Sequence, residues 1–402
     1  MKTIKEIYRI GHGPSSSHTM APHKAAETFL ERNKNAHSFE VTLYGSLAAT
    51  GKGHFTDKAI LEVLKPYGSV SIVWQPKIFL PYHPNGMTFK SFDKDNKLIE
   101  SWTVYSIGGG ALEEEGKPVN IPDIYPMTYM TDILKWCERN GKTYWEYVIE
   151  YERDSTLTDF LKKIWDTMKE EVERGLEKEG RLPGPLNLPR KAAHYHIKAL
   201  GYQHTLRSRG LVFSYALAVS EENASGNVVV TAPTCGSSGV LPAVLYHLWK
   251  NYEFSEIRIL RALATAALVG NIAKTNASIS GAEVGCQGEV GVACAMAAAA
   301  ACQLFGGSPA QIEYAAEMAL EHHLGMTCDP VCGLVQIPCI ERNAFAAARA
   351  MDANIYATFT DGTHRVSYDK VVETMNKTGR DLPFLYKETS EGGLAINYKQ
   401  MQ

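Results

Sequence analysis

Four alanine-rich segments with apolar residues at helical spacing dominate the second half of the chain. Their sequences are LRALATAALVGNIA, VACAMAAAAACQLF, AQIEYAAEMALEHHLG and NAFAAARAMDANIYA. Alanine favours the helix, and its small side chain lets neighbouring helices approach closely. These segments therefore predict a dense helical core. The second of them is too short and too rich in alanine to span a bilayer.

An earlier part, residues 39–107, alternates β-rich runs with turn signals, and the helical patterns MAPHKAAETFLERN and DKAILEVLK occur in the same region. The pair Asn85-Gly86 between two apolar runs predicts a hairpin. A chain of 402 residues is too long for one typical core. We therefore predict an α+β fold with two parts: an α+β domain over residues 1–128 and a mostly helical domain over residues 129–402.

The charged residues are nearly balanced, with 41 Lys and Arg, 44 Asp and Glu, and a net charge of −3. Such a chain has no electrostatic footprint for nucleic acid or for an anionic membrane, so we expect a small-molecule partner. The N-terminal sequence MKTIKEIYRIGHGPSSSHT lacks the apolar core of a signal peptide. We expect a soluble cytoplasmic protein.

The eight cysteines are unevenly distributed, because six of them lie between residues 286 and 339. In a cytosolic chain, the candidate roles are metal ligation, a catalytic thiol and burial of a small apolar residue. Cys294 and Cys302 lie within an alanine-rich helical pattern and are interpreted as buried and inert. Cys286, Cys328 and Cys339 lie beside breaks in regular structure, where the ligands of a compact cluster can converge.

The sequence TCDPVCGLVQIPC surrounds two of these cysteines. Asp329 is predicted to cap a helix that begins at Pro330, which would put Cys328 just before a helix N-terminus. Zinc sites usually take their ligands in close pairs such as C-x2-C, and no such pair occurs here. Three widely spaced thiolates suit a [4Fe-4S] cluster with one iron open as a Lewis acid, although spacing alone does not choose the metal.

Polar residues in three turns before predicted helices are suited to binding the polar groups of a small substrate. The turns occur in GHGPSSSHTMAPHKAA, TAPTCGSSGVLPAVL and KTNASISGAE. The candidate residues are Ser15, Ser16, Ser17, His18, Thr234, Cys235, Gly236, Ser237, Ser238, Lys274 and Asn276. For Cys235, the alternatives are a cluster ligand, a nucleophile and a place in the pocket wall. A further turn, YSIGGGALEEEG, indicates a close backbone approach.

His54 lies in the sequence YGSLAATGKGHFTD, between glycine and a possible helix cap. A general base and an ordinary loop histidine are both consistent with this setting. Glu283 and Glu289 flank Cys286 and are predicted to order a polar pocket beside it.

Six motifs, taken in order, carry a resemblance to a known family over nearly the whole chain. They are GHGPSSSHTMAPHKA, YGSLAATGKGHFTD, LPGPLNLPRKA, TAPTCGSSGVLPAVL, SGAEVGCQGEVGVACAMAAA and TCDPVCGLVQIPCIERNA. The chain resembles the iron-sulfur-dependent bacterial L-serine dehydratases of the single-chain type. The resemblance implies an N-terminal domain similar to a substrate-binding regulatory domain of phosphoglycerate dehydrogenases, followed by a helical catalytic domain.

The same resemblance implies a set of functional residues. Cys286, Cys328 and Cys339 would ligate a [4Fe-4S] cluster, and His54 would be the base. Two features depart from the family. Many relatives carry glycine where this chain has Cys332, which is either a fourth thiolate or an ordinary packing residue. Many also have a cysteine in the last few residues, whereas this chain ends in GGLAINYKQMQ, so capping of the open iron by the tail is not expected.

The function that the resemblance implies is α,β-elimination of L-serine to pyruvate and ammonia, with the open iron as a Lewis acid. L-serine is then the expected partner, and a homodimer is the expected assembly. Three alternatives stay open: elimination from cysteine or threonine, a redox sensor or electron carrier, and a zinc-dependent hydrolase.

Overall fold

The structure of the protein, a computed structural model, describes residues 1–117 and 122–400. A sheet in the N-terminal part precedes a larger helical part, which confirms the predicted α+β class. The strands are β1 (Ile10–His12), β2 (Ser38–Tyr44), β3 (Ser69–Gln75), β4 (Gly86–Phe92), β5 (Leu98–Ser106), β6 (Leu112–Glu113) and β7 (Val228–Val230). The helices are α1 (Ala21–Arg32), α2 (Gly45–Thr50), α3 (Thr56–Leu64), α4 (Met130–Asn140), α5 (Tyr144–Glu152), α6 (Leu157–Glu177), α7 (Ala192–Leu200), α8 (His204–Ala224), α9 (Val240–Tyr252), α10 (Glu256–Asn276), α11 (Gly281–Val284), α12 (Val292–Leu304), α13 (Pro309–Glu321), α14 (Cys339–Thr358), α15 (Tyr368–Asp381) and α16 (Gly393–Gln400).

The sheet of the N-terminal part has the strand order β3-β2-β4-β5-β6. Strand β2 is parallel to β3 and antiparallel to β4, so that Val41 lies opposite Ile72 on one side and Phe89 on the other. Alternate residues of a strand point to opposite faces. Val41 and Phe89 therefore belong to one apolar face, against which Phe29 of α1 packs. This face forms a small core distinct from the core of the helical part.

The predicted hairpin at Asn85-Gly86 is wrong. Gly86 begins β4, but β3 and β4 pair with opposite edges of β2. The physical reason is that the parallel pairing of β2 and β3 requires a crossover, here through α2 and α3, which leaves β3 at the edge of the sheet. The hairpin in this region joins β4 to β5, where the backbone N–H of Asp93 donates to the carbonyl of Lys97.

Helix α12 lies at the centre of the helical part. It packs against α9, α10, α13 and α14, and residues 292–302 are all buried. Because most of these side chains are alanine, the neighbouring helices approach closely. The predicted dense helical core is therefore confirmed. No helix within residues 1–117 and 122–400 has both the length and the apolar character needed to cross a bilayer.

The two parts are joined by the beginning of the chain. Met1, Ile4 and Tyr8 are buried in the core of the helical part. Strand β1 then pairs antiparallel with β7, so that Ile10 lies opposite Val230. The residues after β1 therefore lie where the N-terminal part meets the helical part. The serine-containing turn that the sequence predicts to bind substrate can face the helical part from there. The predicted boundary near residue 128 stays a prediction.

Candidate active site

A cavity at the junction collects many of the residues predicted from the sequence to carry chemistry. Its lining comes from the N-terminal part, from the segment before α12, from the loop before α14 and from the C-terminal tail. The lining residues are Pro14, Ser15, His54, Gly236, Cys286, Glu289, Val290, Cys328, Pro330, Val335, Cys339 and Glu388. The histidine predicted as base and the three predicted thiol ligands therefore face one space, which we call the thiol cavity.

The three thiols reach this cavity from different local structures. Cys286 precedes a turn of π helix, Cys328 lies in an extended loop, and Cys339 is the first residue of α14. The Sγ atoms of Cys286 and Cys328 and a carboxylate oxygen of Glu289 lie within 4.8 Å of one another. Cys339 lines the same cavity. The fold thus brings together three cysteines that are far apart in sequence.

Arg342 on α14 is a largely buried cation beside these thiols. Its Nη1 donates a hydrogen bond of 2.7 Å to the carbonyl of Thr327, which fixes the guanidinium. A hydrogen bond from the Cys328 thiol lowers the pKa of Cys286 to about 6 against the effect of burial, and the charge of Arg342 adds to the lowering. A nearby cation favours thiolates, the form that binds metals. The three cysteines are therefore in a setting suited to ligation.

The other cysteines of this region have different surroundings. Cys294 and Cys302 are completely buried in α12, which confirms the predicted burial. Burial raises the pKa of Cys302 to about 12 and also raises the pKa of Cys294. Cys332 lies in a single 3₁₀ turn, and its side chain is not part of the described lining of the thiol cavity.

The predicted helix cap at Asp329 is wrong. No helix begins at Pro330, because residues 331–333 form only one 3₁₀ turn and Cys332 has a φ of 56°. Instead, Oδ2 of Asp329 accepts a hydrogen bond of 2.8 Å from the backbone N–H of Leu394, at the start of α16. Asp329 therefore caps the C-terminal helix and ties the tail to the loop that carries Cys328.

His54 is completely buried, and the residues around it select one tautomer. The hydroxyl of Thr50 donates to the carbonyl of Ser46 at 3.2 Å, so its oxygen is left to accept from Nδ1–H of His54, also at 3.2 Å. The other ring nitrogen, Nε2, then carries a lone pair. This atom has no hydrogen-bond partner within the described residues. His54 thus presents an unpartnered basic nitrogen at the thiol cavity.

His18 lies next to His54 and is also buried. The two ring centroids are 4.6 Å apart in an edge-to-face arrangement. Burial lowers the pKa of His54, and the neighbouring His18 lowers it further. Burial also lowers the pKa of His18 to about 3. Both imidazoles are therefore neutral at physiological pH, which is the form that accepts a proton.

The serines before α1 form a hydrogen-bonded turn around His18. Oγ of Ser15 accepts from the backbone N–H of His18 at 3.1 Å, and Oγ of Ser17 lies 2.8 Å from Nδ1 of His18. Ser16 is buried in the same turn. Of these predicted substrate residues, Ser15 contributes to the lining of the thiol cavity. Ser17 and His18 support it from behind.

The turn from Thr234 to Ser238 approaches the cavity from the helical part. Gly236 lines the cavity, and the neighbouring Thr234 hydroxyl lowers the pKa of Glu289 against the larger effect of burial. Ser237 is engaged with Thr234 at 3.2 Å between the two hydroxyl oxygens, whereas Oγ of Ser238 is buried without a partner in the described residues. The Cys235 thiol lies 3.8 Å from the sulfur of Met20, and Cys235 is not part of the described cavity lining.

Two predicted substrate residues lie elsewhere. Nζ of Lys274 donates to the carbonyl of Glu6 at 3.3 Å and lines a different cavity beside the sheet. Nδ2 of Asn276 donates to the carbonyl of Thr128 at 2.6 Å. The fold therefore separates these two residues from the thiol cavity, although they lie close in sequence to Cys286.

Two carboxyl groups, those of Glu289 and Glu388, also line the thiol cavity. Glu289 follows Cys286 within the π turn, and burial raises its pKa. Glu388 comes from the tail, where burial raises its pKa to about 8, and its Oε1 lies 3.5 Å from Nδ1 of His18. Spacing from Cys286 pointed to Glu289, but no motif marks Glu388. Glu283, predicted to order the pocket, instead lies 3.6 Å from Nε2 of His83.

The thiol cavity fits an iron-sulfur cluster by its donor set. Three soft sulfur ligands converge there beside a buried cation, and such ligands select iron-sulfur clusters or zinc rather than hard metals. A group of Cys286, Cys328 and Glu289 also has the proximity that a mixed thiolate and carboxylate site requires. Zinc is therefore the alternative that an experiment has to separate from iron.

The fold and this site define an α+β protein with a cysteine-lined cavity between its two parts. The family described as serine dehydratase alpha chain matches residues 90–395, and the serine dehydratase beta chain matches residues 3–67. The chain therefore belongs to the serine dehydratase family and combines both parts in one polypeptide.

Full-length relatives are similar throughout. An L-serine dehydratase of Streptomyces coelicolor is 41% identical, and the match covers 98% of this chain and 98% of that protein. An L-serine dehydratase of Haemophilus influenzae is also 41% identical, with 98% of this chain and 99% of that protein covered. An L-serine dehydratase of Helicobacter pylori is 36% identical, with 99% of each covered.

Proposed function

We propose that this protein is an L-serine dehydratase that eliminates water from L-serine and yields pyruvate and ammonia with the aid of a [4Fe-4S] cluster. The cluster would be held by Cys286, Cys328 and Cys339. The observation that carries the proposal is the convergence of these three thiols and the unpartnered Nε2 of His54 on one cavity. Membership of the serine dehydratase family, and the names of the relatives, support the choice of substrate.

His54 is the proposed general base. Its Nε2 would take the proton from Cα of serine, while Thr50 holds Nδ1 and thereby keeps the lone pair on Nε2. Because His54 is buried and neutral, no proton has to be removed from it before the reaction. The bond from Cβ to oxygen then breaks, and the aminoacrylate product tautomerises to an imine that water hydrolyses to pyruvate and ammonia.

Hydroxide is a poor leaving group, and the cluster, when bound, would supply a Lewis acid that stabilises its departure. The substrate's own charges need separate partners. Ser15 and the backbone around Gly236 line the cavity and are the proposed contacts for the carboxylate and the ammonium group. Ser16, Ser17 and His18 on one side, and Thr234, Ser237 and Ser238 on the other, would support these contacts. Lys274 and Asn276 are not included, because they do not line this cavity.

Anaerobic purification tests the cofactor. We expect a brown protein with about four irons and a matching amount of sulfide per chain, which forms pyruvate from L-serine. Cys286→Ser, Cys328→Ser and Cys339→Ser should each deplete the iron, because each removes one of three soft ligands. Cys294→Ala and Cys302→Ala are matched controls in the same region and should keep it. Stoichiometric zinc without visible absorption would overturn the proposed cofactor.

Comparing substrates tests the reaction. L-serine should be turned over with a higher kcat/KM than L-threonine or L-cysteine, measured by release of pyruvate or of the corresponding 2-oxo acid. A cluster that undergoes redox cycling without any ammonia release from the three amino acids would favour a sensor or an electron carrier instead. The homodimer and the cytoplasmic location stay predictions. Analytical sedimentation measures the oligomeric state and so tests the homodimer.

A further inference from the structure

The first turn of α14 reaches the thiol cavity with more than its cysteine. The helix begins at Cys339, a proposed cluster ligand that lines the cavity. Four residues later, Asn343 is buried, and its side chain contacts both ends of residues 236–239. We call this segment the 236–239 turn. Its first residue, Gly236, lines the cavity, and the proposed reaction assigns no role to Asn343.

The side chain of Asn343 uses both of its N–H groups and its oxygen. Nδ2 donates to the carbonyl of Gly236 at 2.7 Å and to the carbonyl of Cys339 at 2.9 Å. Oδ1 accepts from the backbone N–H of Gly239 at 3.0 Å. Since the nitrogen faces two carbonyls and the oxygen faces an N–H, only one orientation of the amide satisfies all three groups. Asn343 therefore fixes both ends of the 236–239 turn relative to α14.

The two ends of this turn differ in their other support. Gly239 is wedged against α8, because a Cβ on it would lie 2.6 Å from the carbonyl oxygen of Ala216 and 2.6 Å from Oγ of Ser220. The carbonyl of Gly236, in contrast, accepts a hydrogen bond only from Asn343 within the part of the chain that the structure describes. Loss of the Asn343 side chain should therefore release the Gly236 end and leave the Gly239 end in place.

The restrained turn carries a hydroxyl group that is free to bind a ligand. Oγ of Ser238 is buried and has no hydrogen-bond partner among residues 1–117 and 122–400. Its neighbour Ser237 is engaged with Thr234 at 3.2 Å between the two hydroxyl oxygens. A buried hydroxyl without a partner is unfavourable, and a polar ligand or a water molecule that reaches it relieves this cost. A turn held in one conformation around such a group is suited to the polar groups of a small substrate.

We propose that Asn343 is a positioning residue for the substrate, which acts through the 236–239 turn and does not touch the substrate itself. This inference rests on the proposed function. The side-chain bond to Cys339 is not needed to shape that ligand, because in an α helix the carbonyl of residue 339 also accepts from the backbone N–H of residue 343. The role of Asn343 therefore concerns the binding of serine and not the retention of the cluster.

Asn343→Ala tests this role in the iron-loaded protein. The variant frees the Gly236 end of the turn, so KM for L-serine should rise about 10-fold, as expected for the loss of a buried hydrogen bond. Because the turn binds the substrate before and during the reaction, kcat should stay within about 3-fold of the wild type. The iron content should be unchanged. Asn354→Ala, which removes another buried amide from α14, is the matched control and should keep the wild-type KM.

Asn343→Asp separates positioning from the simple loss of volume. Aspartate keeps the size of the side chain and the acceptor for Gly239, but it places a carboxylate oxygen against the carbonyls of Gly236 and Cys339. KM should therefore rise at least as much as in Asn343→Ala, although no cavity is created. This variant also serves as the test if Asn343→Ala does not fold.

A binding measurement removes the dependence on turnover. The His54→Ala protein should bind L-serine without converting it, and adding Asn343→Ala should raise the calorimetric Kd by about the same factor as KM. Unchanged KM and Kd in the Asn343 variants would refute the positioning role. Variants that cannot be folded or loaded with iron would assign Asn343 to the fold or to the cluster, and would also overturn it. A wild-type protein that neither binds serine nor forms pyruvate would instead refute the proposed function, and this inference with it.

Discussion

At the scale of single residues, an elimination requires both a base and help for the leaving group. The site offers a different group for each, the neutral His54 and the three thiols. In the proposed reaction, Nε2 of His54 removes the proton and the cysteines hold the Lewis acid. The two sets come from different parts of the chain and meet at the thiol cavity. Variants should therefore lose one function without losing the other.

The first residue-scale prediction is that His54→Ala keeps its iron and still binds L-serine but loses turnover. A positioned general base contributes about 10²- to 10⁴-fold, so kcat should fall by that amount. Exchange of the Cα proton with deuterated solvent should fall with pyruvate formation, since both need the base. Near-normal exchange in the variant would move the base to another residue, and loss of iron would mean that His54 is structural.

Gly53 gives a second prediction, because it explains how His54 is positioned. A Cβ on Gly53 would lie 2.3 Å from the carbonyl oxygen of Gly333 and 3.2 Å from that of Cys332, so the facing backbone leaves it no space. Gly53→Ala should displace the loop and lower kcat by about 10²-fold while the iron content stays normal. Gly201→Ala is the matched control, since its Cβ would be 3.4 Å from its nearest neighbour. Equal activity of both variants would contradict this positioning role.

At this scale the sequence predicted residues with a local signal and missed those without one. Cys286 and Cys339 stood next to glycine and proline breaks, and the fold brings them to one cavity. Glu388 has no such signal, because its place depends on how the tail packs against the rest of the protein. Lys274 shows the converse error: proximity in sequence to Cys286 suggested a shared site, but the C-terminal end of α10 points it toward the sheet.

At the scale of elements, the connection between α14 and α15 is held by an ion pair to α13. Nε2 of His364 lies 2.7 Å from Oε2 of Glu313, and the imidazole stacks on Tyr314 with centroids 4.2 Å apart. The hydrogen bond to Glu313 raises the pKa of His364 to about 9 against the effect of burial. The charged imidazole therefore stabilises this connection.

The raised pKa of His364 predicts how stability changes with pH. The contribution is complete below the pKa of the unfolded state, near 6.5, and is lost as the pH rises through about 9. At pH 6 the free energy of unfolding should exceed that of His364→Gln by about 1 to 3 kcal/mol, allowing for partial exposure. Denaturant unfolding at pH 6 and pH 10 measures the difference. A gap that is constant or grows with pH would contradict the ion pair.

Elements were predicted well where one periodicity decides the structure. The alanine-rich segments follow from helical spacing, and the corresponding helices α10, α12, α13 and α14 are present. The order of the strands did not follow, because Asn85-Gly86 is a local turn signal whereas pairing depends on the crossover through α2 and α3. The cap at Asp329 failed for a similar reason, since its partner Leu394 is far away in sequence.

At the scale of the whole molecule, the tail closes the thiol cavity. The backbone N–H of Cys328 donates to the carbonyl of Tyr386, and the N–H of Glu388 donates to the carbonyl of Cys328, each at 2.8 Å. Oγ of Ser46 then donates to the carbonyl of Glu388 at 2.9 Å. The tail therefore lies between a proposed cluster ligand and the N-terminal part. It reaches the site with a carboxyl group, although it carries no cysteine.

This arrangement predicts that a chain ending at Leu382 loses the proposed cluster more readily than it loses its fold. The truncation removes both backbone hydrogen bonds of Cys328 and the cap that Asp329 supplies to α16. The large helical core does not include the tail, so circular dichroism should still report the helices. Iron should be lost faster on exposure to air, and turnover should fall with it, when both are followed over time.

A chain that lacks only residues 401–402 is the control and should keep the wild-type rates. Within the described residues, the tail makes backbone hydrogen bonds to Cys328 but to neither Cys286 nor Cys339. A truncated chain with normal iron retention would therefore mean that the loop of Cys328 holds its shape unaided, and that the tail only excludes water from the cavity.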